Sequence, residues 1–293
     1  MKKRRLNKRT DGRSILKEPA KLRLYIPTYR RTTFQKTFGL LPRKWQKRVT
    51  FVCDVEDEPK LRKLLKRERY AKLWVVPRSI KTIAQKRAWI IENTSATILL
   101  MLDDDLRFCT RHYKEKKSKA EGGSDKSSQI NSTYEQIDEA LTRIENMLQK
   151  YAHVGISAKQ GNNNMPGRGF AKNVRMIYGL GYQVATVRNV CRLGRIEHRE
   201  DMDYTLQLLR RGFANRVLLD HCVDQLYNTP GGASVDRKQK DSDRDAELLA
   251  KLHSPFVKVV EKKYKVSQIR KEVICSWKKA FAQGQRRAAA ARR

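Results

Sequence analysis

The sequence lacks any long apolar segment. No run approaches the roughly 20 apolar residues that a membrane-spanning helix needs, and the basic start is not followed by the apolar stretch of a secretory signal. Hydrophobic residues, 39% of the total, arrive instead in short runs. A chain of 293 residues can bury a sizeable core in one large domain. We therefore expect a cytoplasmic protein.

Cysteine is also scarce. The five cysteines are odd in number and widely spaced, and none forms a Cys-x-x-Cys pair. This pattern argues against a disulfide framework and against the common zinc motifs. A reducing compartment is the expectation.

Acidic residues are outnumbered about two to one. Sixty-five Lys and Arg stand against 31 Asp and Glu, which gives a formal charge of +34. A field of this sign attracts polyanions, and each phosphate that is neutralised releases counterions. Nucleic acid is the favoured partner, and a basic surface that serves only solubility, or a ribosome-type tail, is the alternative. An anionic membrane is less favoured, because no broadly apolar amphipathic helix accompanies the basic runs.

Strands and helices alternate along the chain. Buried or alternating runs bounded by Pro, Asp or Gly predict strands, and apolar residues at helical spacing predict helices. The strands are expected at 22–26, 49–53, 73–76, 98–102, 153–157, 182–187 and 216–219, and the helices at 59–70, 80–93, after a Ser132-x-x-Glu135 capping box, and at 200–212. The continuous apolar run 96–102 suits a strand that is buried on both faces. This order indicates an α/β protein with a mostly parallel sheet.

Composition divides the chain into three parts. Residues 1–20 are basic and polar and are predicted to be a flexible arm, while 21–235 carry the α/β pattern. Within that domain the polar stretch 113–131 is predicted to be a mobile loop. Residues 236–293 are predicted to be a helical extension with a basic end.

Three consecutive acids follow the most apolar predicted strand. Asp103, Asp104 and Asp105 come directly after Leu102, and ligands of open α/β sheets gather at the carboxyl ends of strands. Three neighbouring carboxylates repel each other unless a positive group lies among them. Mg²⁺ or Mn²⁺ takes carboxylate oxygens and also binds phosphates. The triplet therefore predicts a divalent cation site beside a diphosphate, with a solvated turn or helix cap as the plainer alternative.

A second acidic cluster opens a predicted helix. Glu200, Asp201 and Asp203 lie at its start, where acids complement the helix dipole and cap exposed amides. A carboxylate at such a helix mouth can also act as a general base for an acceptor hydroxyl.

The order of these motifs resembles the GT-A glycosyltransferases. Gln85-Lys86-Arg87-Ala88 lies ahead of the apolar strand, with Asp103 16 positions after Arg87. Ile26-Pro27-Thr28-Tyr29-Arg30 is similar to the opening motif of that family, and an acid follows the second strand at Asp54. Lys86 and Ala88 depart from the family pattern, which usually has Ala and Asn there. The resemblance implies a GT-A-like (Rossmann-like) α/β fold with a mixed, mostly parallel sheet flanked by helices.

The resemblance also implies roles for single residues. Tyr29 would lie against a nucleobase, Asp54 would accept its imide proton, and Asp201 would be the base for the acceptor, with Glu200 as substitute. A histidine after the strand that runs into Asp220 is a frequent metal ligand of this fold, which points to His221; a buried core histidine is the alternative. The implied nucleotide-sugar site comprises Pro27, Thr28, Tyr29, Arg30, Asp54, Arg87, Asp103 and Asp104, and the implied Mn²⁺ or Mg²⁺ site comprises Asp105, Asp103 and His221.

Within that fold the chain most resembles the TET-associated glycosyltransferases of phages. The shared features are the Asp triplet, the Arg199-Glu200-Asp201-x-Asp203 stretch and the length. The resemblance implies transfer from a UDP-sugar to hydroxymethylcytosine in phage DNA, by a monomer in the host cytoplasm. Phosphate contacts would come from the basic residues Lys2, Lys3, Arg4, Arg5, Arg286 and Arg287, and Arg168 would bind DNA from a loop on the acceptor side. The alternatives are another acceptor, a metal-dependent nucleotidyltransferase or nuclease, and a nucleic-acid-binding protein without catalysis.

Overall fold

The computed structural model describes residues 10–33, 35–67, 71–113, 127–159, 167–225, 232, 238–264 and 268–291. Ten of the strands in these residues form one large sheet and two form a separate hairpin. The strands are β1 Leu22–Pro27, β2 Val49–Cys53, β3 Lys72–Val75, β4 Ile98–Leu102, β5 Leu106–Tyr113, β6 Ser127–Asn131, β7 His153–Ala158, β8 Phe170–Lys172, β9 Gly179–Gln183, β10 Asn215–Gln225, β11 Val257–Tyr264 and β12 Gln268–Cys275.

The large sheet is mixed, with most strands running one way. Its order is β3-β2-β1-β4-β9-β7-β10-β5-β6, and β8 pairs with β10. β1, β2, β3 and β4 are mutually parallel, and β7 is parallel to β10. β9, β5 and β8 run against their neighbours. The predicted α/β architecture with a mixed, mostly parallel sheet is confirmed.

Helices cover both faces of this sheet, because its central strands are apolar on both sides. In β4, Leu100 and Leu102 enter one core, while Leu99 and Met101 enter the other. The helices in the described residues are α1 Lys36–Leu40, α2 Arg43–Gln46, α3 Glu58–Arg67, α4 Ile83–Asn93, α5 Tyr134–Leu148, α6 Val184–Val190, α7 Glu200–Arg210, α8 Gln239–Leu252 and α9 Trp277–Ala290. The described helices include none that is long and apolar enough to cross a membrane.

Three local predictions need correction. The capping box of α5 is formed by Thr133 and Gln136, one residue later than predicted. The predicted strand 182–187 ends at Gln183, where α6 begins. The predicted mobile loop 113–131 contains β6, whose residues 127–131 pair with β5; residues 114–126 lie outside the described residues.

The segments at the two ends are part of the packed structure. In the predicted flexible arm, Ser14 and Leu16 donate backbone hydrogen bonds to Lys150 and Gln149 at 2.9 Å each. Residues 1–9 lie outside the described residues. The predicted helical extension contains α8 and α9 but also the β11–β12 hairpin, so it is not purely helical. These elements share an apolar core with α7, to which they contribute Leu249, Phe256, Val257 and Ala280.

Candidate active site

Parallel strands bring the predicted donor residues to one edge of the sheet. β1, β2 and β4 run parallel, and they are followed directly by Thr28, Asp54 and Asp103. The carboxyl ends of parallel strands open on the same side of a sheet. Residues that are far apart in sequence therefore converge at this edge.

Asp104 is held in place through both carboxylate oxygens. Thr28 Oγ1 donates to Asp104 Oδ2 at 2.5 Å, and Arg31 Nη1 donates to Asp104 Oδ1 at 2.6 Å. Its side chain is buried, and burial raises its pKa while the bonds to Thr28 and Arg31 oppose the rise. Asp104 was predicted to bind the nucleotide sugar. Its two bonds make it a residue that positions the β1 end and Arg31.

Asp105 is buried but only partly satisfied. Arg31 Nη1 lies 2.9 Å from Asp105 Oδ2, and Gln225 Nε2 donates to the same oxygen at 3.3 Å. The other oxygen, Oδ1, is buried and has no hydrogen-bond partner among the described residues. Burial, reinforced by repulsion from Asp103, raises the Asp105 pKa to about 6. An unpaired buried carboxylate oxygen is costly unless a cation or proton satisfies it.

Arg87 connects the two acidic clusters. Its guanidinium donates to Asp103 from one nitrogen and to Glu200 from another. Burial lowers the Arg87 pKa, but the two carboxylates outweigh that effect and the pKa is raised. Burial likewise raises the pKa of Glu200, and Arg87 opposes this. The structure thus places Arg87 between the carboxyl end of β4 and the start of α7.

Lys86 holds Asp54 and the end of β1. Its Nζ donates to the Thr28 carbonyl at 2.8 Å and to Asp54 Oδ2 at 3.1 Å, and lies 5.7 Å from the centre of the Tyr29 ring. Asp54 Oδ1 is buried without a hydrogen-bond partner in the described part of the chain. The lysine at this departure from the family pattern therefore fixes one Asp54 oxygen and leaves the other as an acceptor.

Tyr29 and Arg30 form the outer wall of this region. Arg30 has φ 55°, a left-handed conformation that is uncommon outside glycine, and its backbone N–H donates to Asp57 Oδ2 at 2.7 Å. Its exposed guanidinium stacks over the half-buried Tyr29 ring at 4.7 Å. The Gly232 N–H donates to the Tyr29 carbonyl at 2.9 Å. Pro27 ends β1 and is buried behind them.

The acids that open α7 have different environments. Asp201 has a side chain that is 12% exposed, and the guanidinium of Arg175 lies 3.9 Å away. Asp203 is fully buried and bonded to Arg195 at 2.6 Å and to His253 Nε2 at 2.6 Å. The Asp203 carboxylate is therefore a structural group, bonded to buried neighbours. The Asp201 carboxylate, next to Glu200, is held more loosely.

The sequence profile of the TET-associated glycosyltransferases matches residues 22–231. The chain belongs to this family of glycosyltransferases. Among curated proteins, no sequence matches the chain.

The solved structures to which the chain is similar include those of S. aureus TarS. TarS 1–349 in complex with UDP-GlcNAc is 13% identical, with a TM-score of 0.49 over 78% of this chain and 65% of that one. For TarS 1–349 without a named ligand the identity is 13% and the TM-score 0.45, over 78% and 64% of the two chains. The chain thus spans under two thirds of the length of these TarS chains.

In this glycosyltransferase the structure does not bring His221 to the aspartates. β10 continues to Gln225, so His221 lies within the strand, opposite Thr110, and its Nε2 is 3.6 Å from Glu139. Gln225 of β10 donates to Asp105 and lies four positions after His221, or roughly 13 Å along the strand at about 3.3 Å per residue. Burial lowers the His221 pKa. His221 is a buried strand residue at a distance from the predicted metal site.

The remaining acids fit a divalent cation through two carboxylates. Asp105 offers its unpaired Oδ1, and the side chain of Asp103 is 21% exposed. Within the described residues no three His, Cys, Asp or Glu side chains form a complete metal site. A cation held here by Asp103 and Asp105 would take its other ligands from a diphosphate and water, as Mg²⁺ commonly does.

Three of the predicted DNA-binding residues, Arg168, Arg286 and Arg287, fall in the described part of the chain. Arg168 is exposed, and its guanidinium is 5.3 Å from the centre of the Tyr113 ring. Arg286 and Arg287 are exposed on α9. The four basic residues at positions 2–5 lie outside the described residues.

Sequence reasoning missed the basic residues that organise the site. Arg31 contacts both Asp104 and Asp105 from 73 or more positions away, and Lys86 was noted only as a departure from the family pattern. Arg175 and Gln225 were not considered. A lone arginine in a chain this basic carries no local signal, so only the fold reveals these contacts.

Proposed function

We propose that this glycosyltransferase transfers a sugar from a nucleotide sugar, a UDP-sugar, to hydroxymethylcytosine in phage DNA, with Mn²⁺ or Mg²⁺ as cofactor. The observation that carries the donor half is the convergence of Thr28, Asp54 and Asp103 at one edge of the sheet. The family match supports sugar transfer. The formal charge of +34 supports the polyanionic acceptor. On this proposal the enzyme works as a monomer in the host cytoplasm.

Donor binding would use the groups that the structure leaves available. Asp54 Oδ1, unpaired by described residues, would accept the imide proton of the base, while Lys86 fixes the other oxygen. Tyr29 would supply an aromatic face, with Arg30 stacked behind it. Asp103 and Asp105 would hold the cation, which when bound stabilises negative charge on the departing diphosphate. Arg87 would stabilise the same charge from the side of Glu200.

The acceptor hydroxyl would lose its proton to Asp201. The guanidinium of Arg175 lies 3.9 Å from that carboxylate, beyond hydrogen-bond distance, so the carboxylate can accept a proton. The hydroxyl oxygen forms a bond to the anomeric carbon, and the bond from that carbon to the diphosphate oxygen breaks. The nucleoside diphosphate leaves with the bonding electron pair. Glu200, whose pKa is raised by burial and which is bonded to Arg87, is the weaker candidate for this role.

One mass-spectrometric assay tests the proposal. The protein is incubated with hydroxymethylcytosine-containing duplex DNA, Mn²⁺ and a panel of nucleotide sugars. The DNA is then digested, and the masses of the nucleosides are measured. We expect a mass gain of one sugar on hydroxymethylcytosine, with none on cytosine and none in the presence of a chelator. No mass gain with any donor would overturn the acceptor assignment. Cleavage or extension of DNA without a sugar nucleotide would indicate a nuclease or nucleotidyltransferase instead.

A further inference from the structure

The β11–β12 hairpin is a two-stranded ribbon that stands outside the large sheet. Its strands pair antiparallel over eight residues each, with Lys258 opposite Ile274 and Lys262 opposite Arg270. One face packs onto the core that it shares with α7, through Val257, Val273 and Cys275. Because side chains alternate along a strand, residues 258, 260, 262, 270, 272 and 274 lie on the other face.

That outer face combines positive charge with exposed apolar surface. Lys258 and Lys262 are exposed, and Arg270 lies across from Lys262. Ile274, beside Lys258, is 57% exposed. The acid on this face, Glu272, lies 3.7 Å from Arg199. The outer face thus has three cationic side chains, one acidic side chain and one large apolar side chain. This combination is complementary to a polyanion that also exposes apolar groups.

The ribbon contacts the start of α7, the helix that carries the proposed catalytic base. Arg199, the residue before α7, donates from its guanidinium to the Lys271 carbonyl at 3.0 Å. Cys275, at the end of β12, packs against the core that the ribbon shares with α7. The ribbon therefore extends from the side of the active site on which Asp201 stands.

We propose that the β11–β12 ribbon binds the DNA acceptor in its major groove and presents the hydroxymethyl group to Asp201. This inference rests on the proposed function, whose acceptor it describes further. The major groove is about 12 Å wide and admits a two-stranded ribbon. The C5 substituent of a pyrimidine also projects into that groove. Lys258 and Lys262 contact phosphates, and Ile274 contacts the base edge near the reacting hydroxymethyl group.

Paired neutral variants measure the phosphate contacts. Lys258→Gln with Lys262→Gln is compared with Lys60→Gln with Lys63→Gln, which removes the same charge from exposed positions on α3. Affinity for a hydroxymethylcytosine duplex is measured by fluorescence anisotropy over a salt series. We expect roughly tenfold weaker binding for the ribbon pair, with a salt slope lower by about 1.8. The α3 pair should stay near the unchanged protein, and Lys258→Arg with Lys262→Arg should retain binding.

Steady-state kinetics separate docking from chemistry. For the ribbon pair we expect KM for DNA to rise while kcat and KM for the sugar nucleotide stay unchanged, with the same thermal unfolding midpoint as the α3 pair. Equal DNA affinity, salt slope and KM in the two pairs would overturn the ribbon proposal and leave the transfer reaction intact. An unchanged protein that neither binds nor modifies this DNA would overturn the proposed function itself, and the ribbon proposal with it.

A competition experiment tests the groove. A ligand of the major groove, methyl green, should displace the protein from the duplex, whereas netropsin, a minor-groove ligand, should leave binding in place. Ile274→Ser should weaken binding to the hydroxymethylcytosine duplex by roughly threefold to tenfold, as expected for loss of one apolar base contact. Displacement by netropsin alone, or tighter binding to the single strand than to the duplex, would contradict major-groove docking.

Discussion

The acidic cluster after β4 and the acidic cluster at the start of α7 are built alike but have different hydrogen-bond partners. At the end of β4, Asp104 is bonded through both oxygens, while Asp105 keeps one buried oxygen without a described partner. At the start of α7, Asp203 is bonded to Arg195 and His253, while the Asp201 carboxylate lies 3.9 Å from the Arg175 guanidinium. Each cluster thus pairs one anchored acid with one available acid.

This comparison shows that burial alone does not identify a reactive carboxylate. Asp104 and Asp105 are almost equally buried. Their difference lies in how many hydrogen bonds each oxygen receives, because an unsatisfied buried oxygen is costly and persists only where something else will bind it. The available acids should control turnover, and the anchored acids should control stability.

Loss of either acid that is proposed to hold the cation after β4 should have the largest effect. Asp103→Asn and Asp105→Asn are each expected to lower kcat/KM for transfer by about 10³-fold or more, because the cation that stabilises the leaving diphosphate loses a carboxylate ligand. Chelation of divalent ions should have an equal effect in the unchanged protein, reversed by Mn²⁺. Glu92→Gln, an exposed change on α4, is the control. Full activity of the Asp105→Asn variant would contradict the assignment of Asp105 as a ligand of the divalent cation.

Loss of the available acid at α7 should lower turnover but spare the donor. Asp201→Asn is expected to reduce kcat by about 10²–10⁴-fold, the usual contribution of a general base. Affinity for the sugar nucleotide, measured by calorimetry, should be unchanged. Normal turnover in Asp201→Asn, accompanied by loss of turnover in Glu200→Gln, would transfer the role of base to Glu200.

Loss of the anchored acid at α7 should act on stability. Asp203→Ala leaves Arg195 and the buried His253 without their carboxylate and should lower the free energy of unfolding by about 3–5 kcal/mol. Urea unfolding measures this, and turnover per folded molecule should remain close to normal. A loss of turnover without a change in unfolding would break the distinction between anchored and available acids.

The pH dependence of unfolding sharpens the same test. Burial would raise the Asp203 pKa, but the hydrogen bonds from His253 and Arg195 outweigh it and hold the pKa below 3.8. A lowered pKa contributes stability that is complete above 3.8 and is lost as the pH falls through the folded-state value. The stability difference between the unchanged protein and Asp203→Ala should therefore shrink only in that acid range.

The sequence predicted the central strands and the edge where ligands gather, because those signals are local. β1, β2 and β4 are apolar runs that end at Pro, Asp and Asp, and the structure has them at 22–27, 49–53 and 98–102. Where two local patterns compete, packing decides. Ser132-x-x-Glu135 and Thr133-x-x-Gln136 are both capping boxes, and the second forms in a helix that buries Ile137 and Leu141.

Contacts between residues far apart in the sequence could not be predicted from local sequence patterns. The Val-rich segment 184–190 has β propensity, yet it forms α6, where Val184 and Val187 are buried. The strand predicted at 216–219 continues to Gln225 through pairing with β5, which moves His221 away from the aspartates. Runs of charged residues at 261–263 and 270–272 interrupt the apolar residues of the β11–β12 hairpin, so its sequence shows no clean period-2 strand pattern.

On the proposed assignments, Arg87 would link the binding of the two substrates thermodynamically. One guanidinium is shared between Asp103 on the proposed donor side and Glu200 on the proposed acceptor side. A donor complex that draws Asp103 away from Arg87 leaves Glu200 as the principal counter-charge and thereby alters the potential at its neighbour Asp201. Coupling free energies are reciprocal, so an acceptor that engages the start of α7 changes donor affinity by the same factor. A single side chain would thus couple binding at the proposed donor half of the site to binding at the proposed acceptor half.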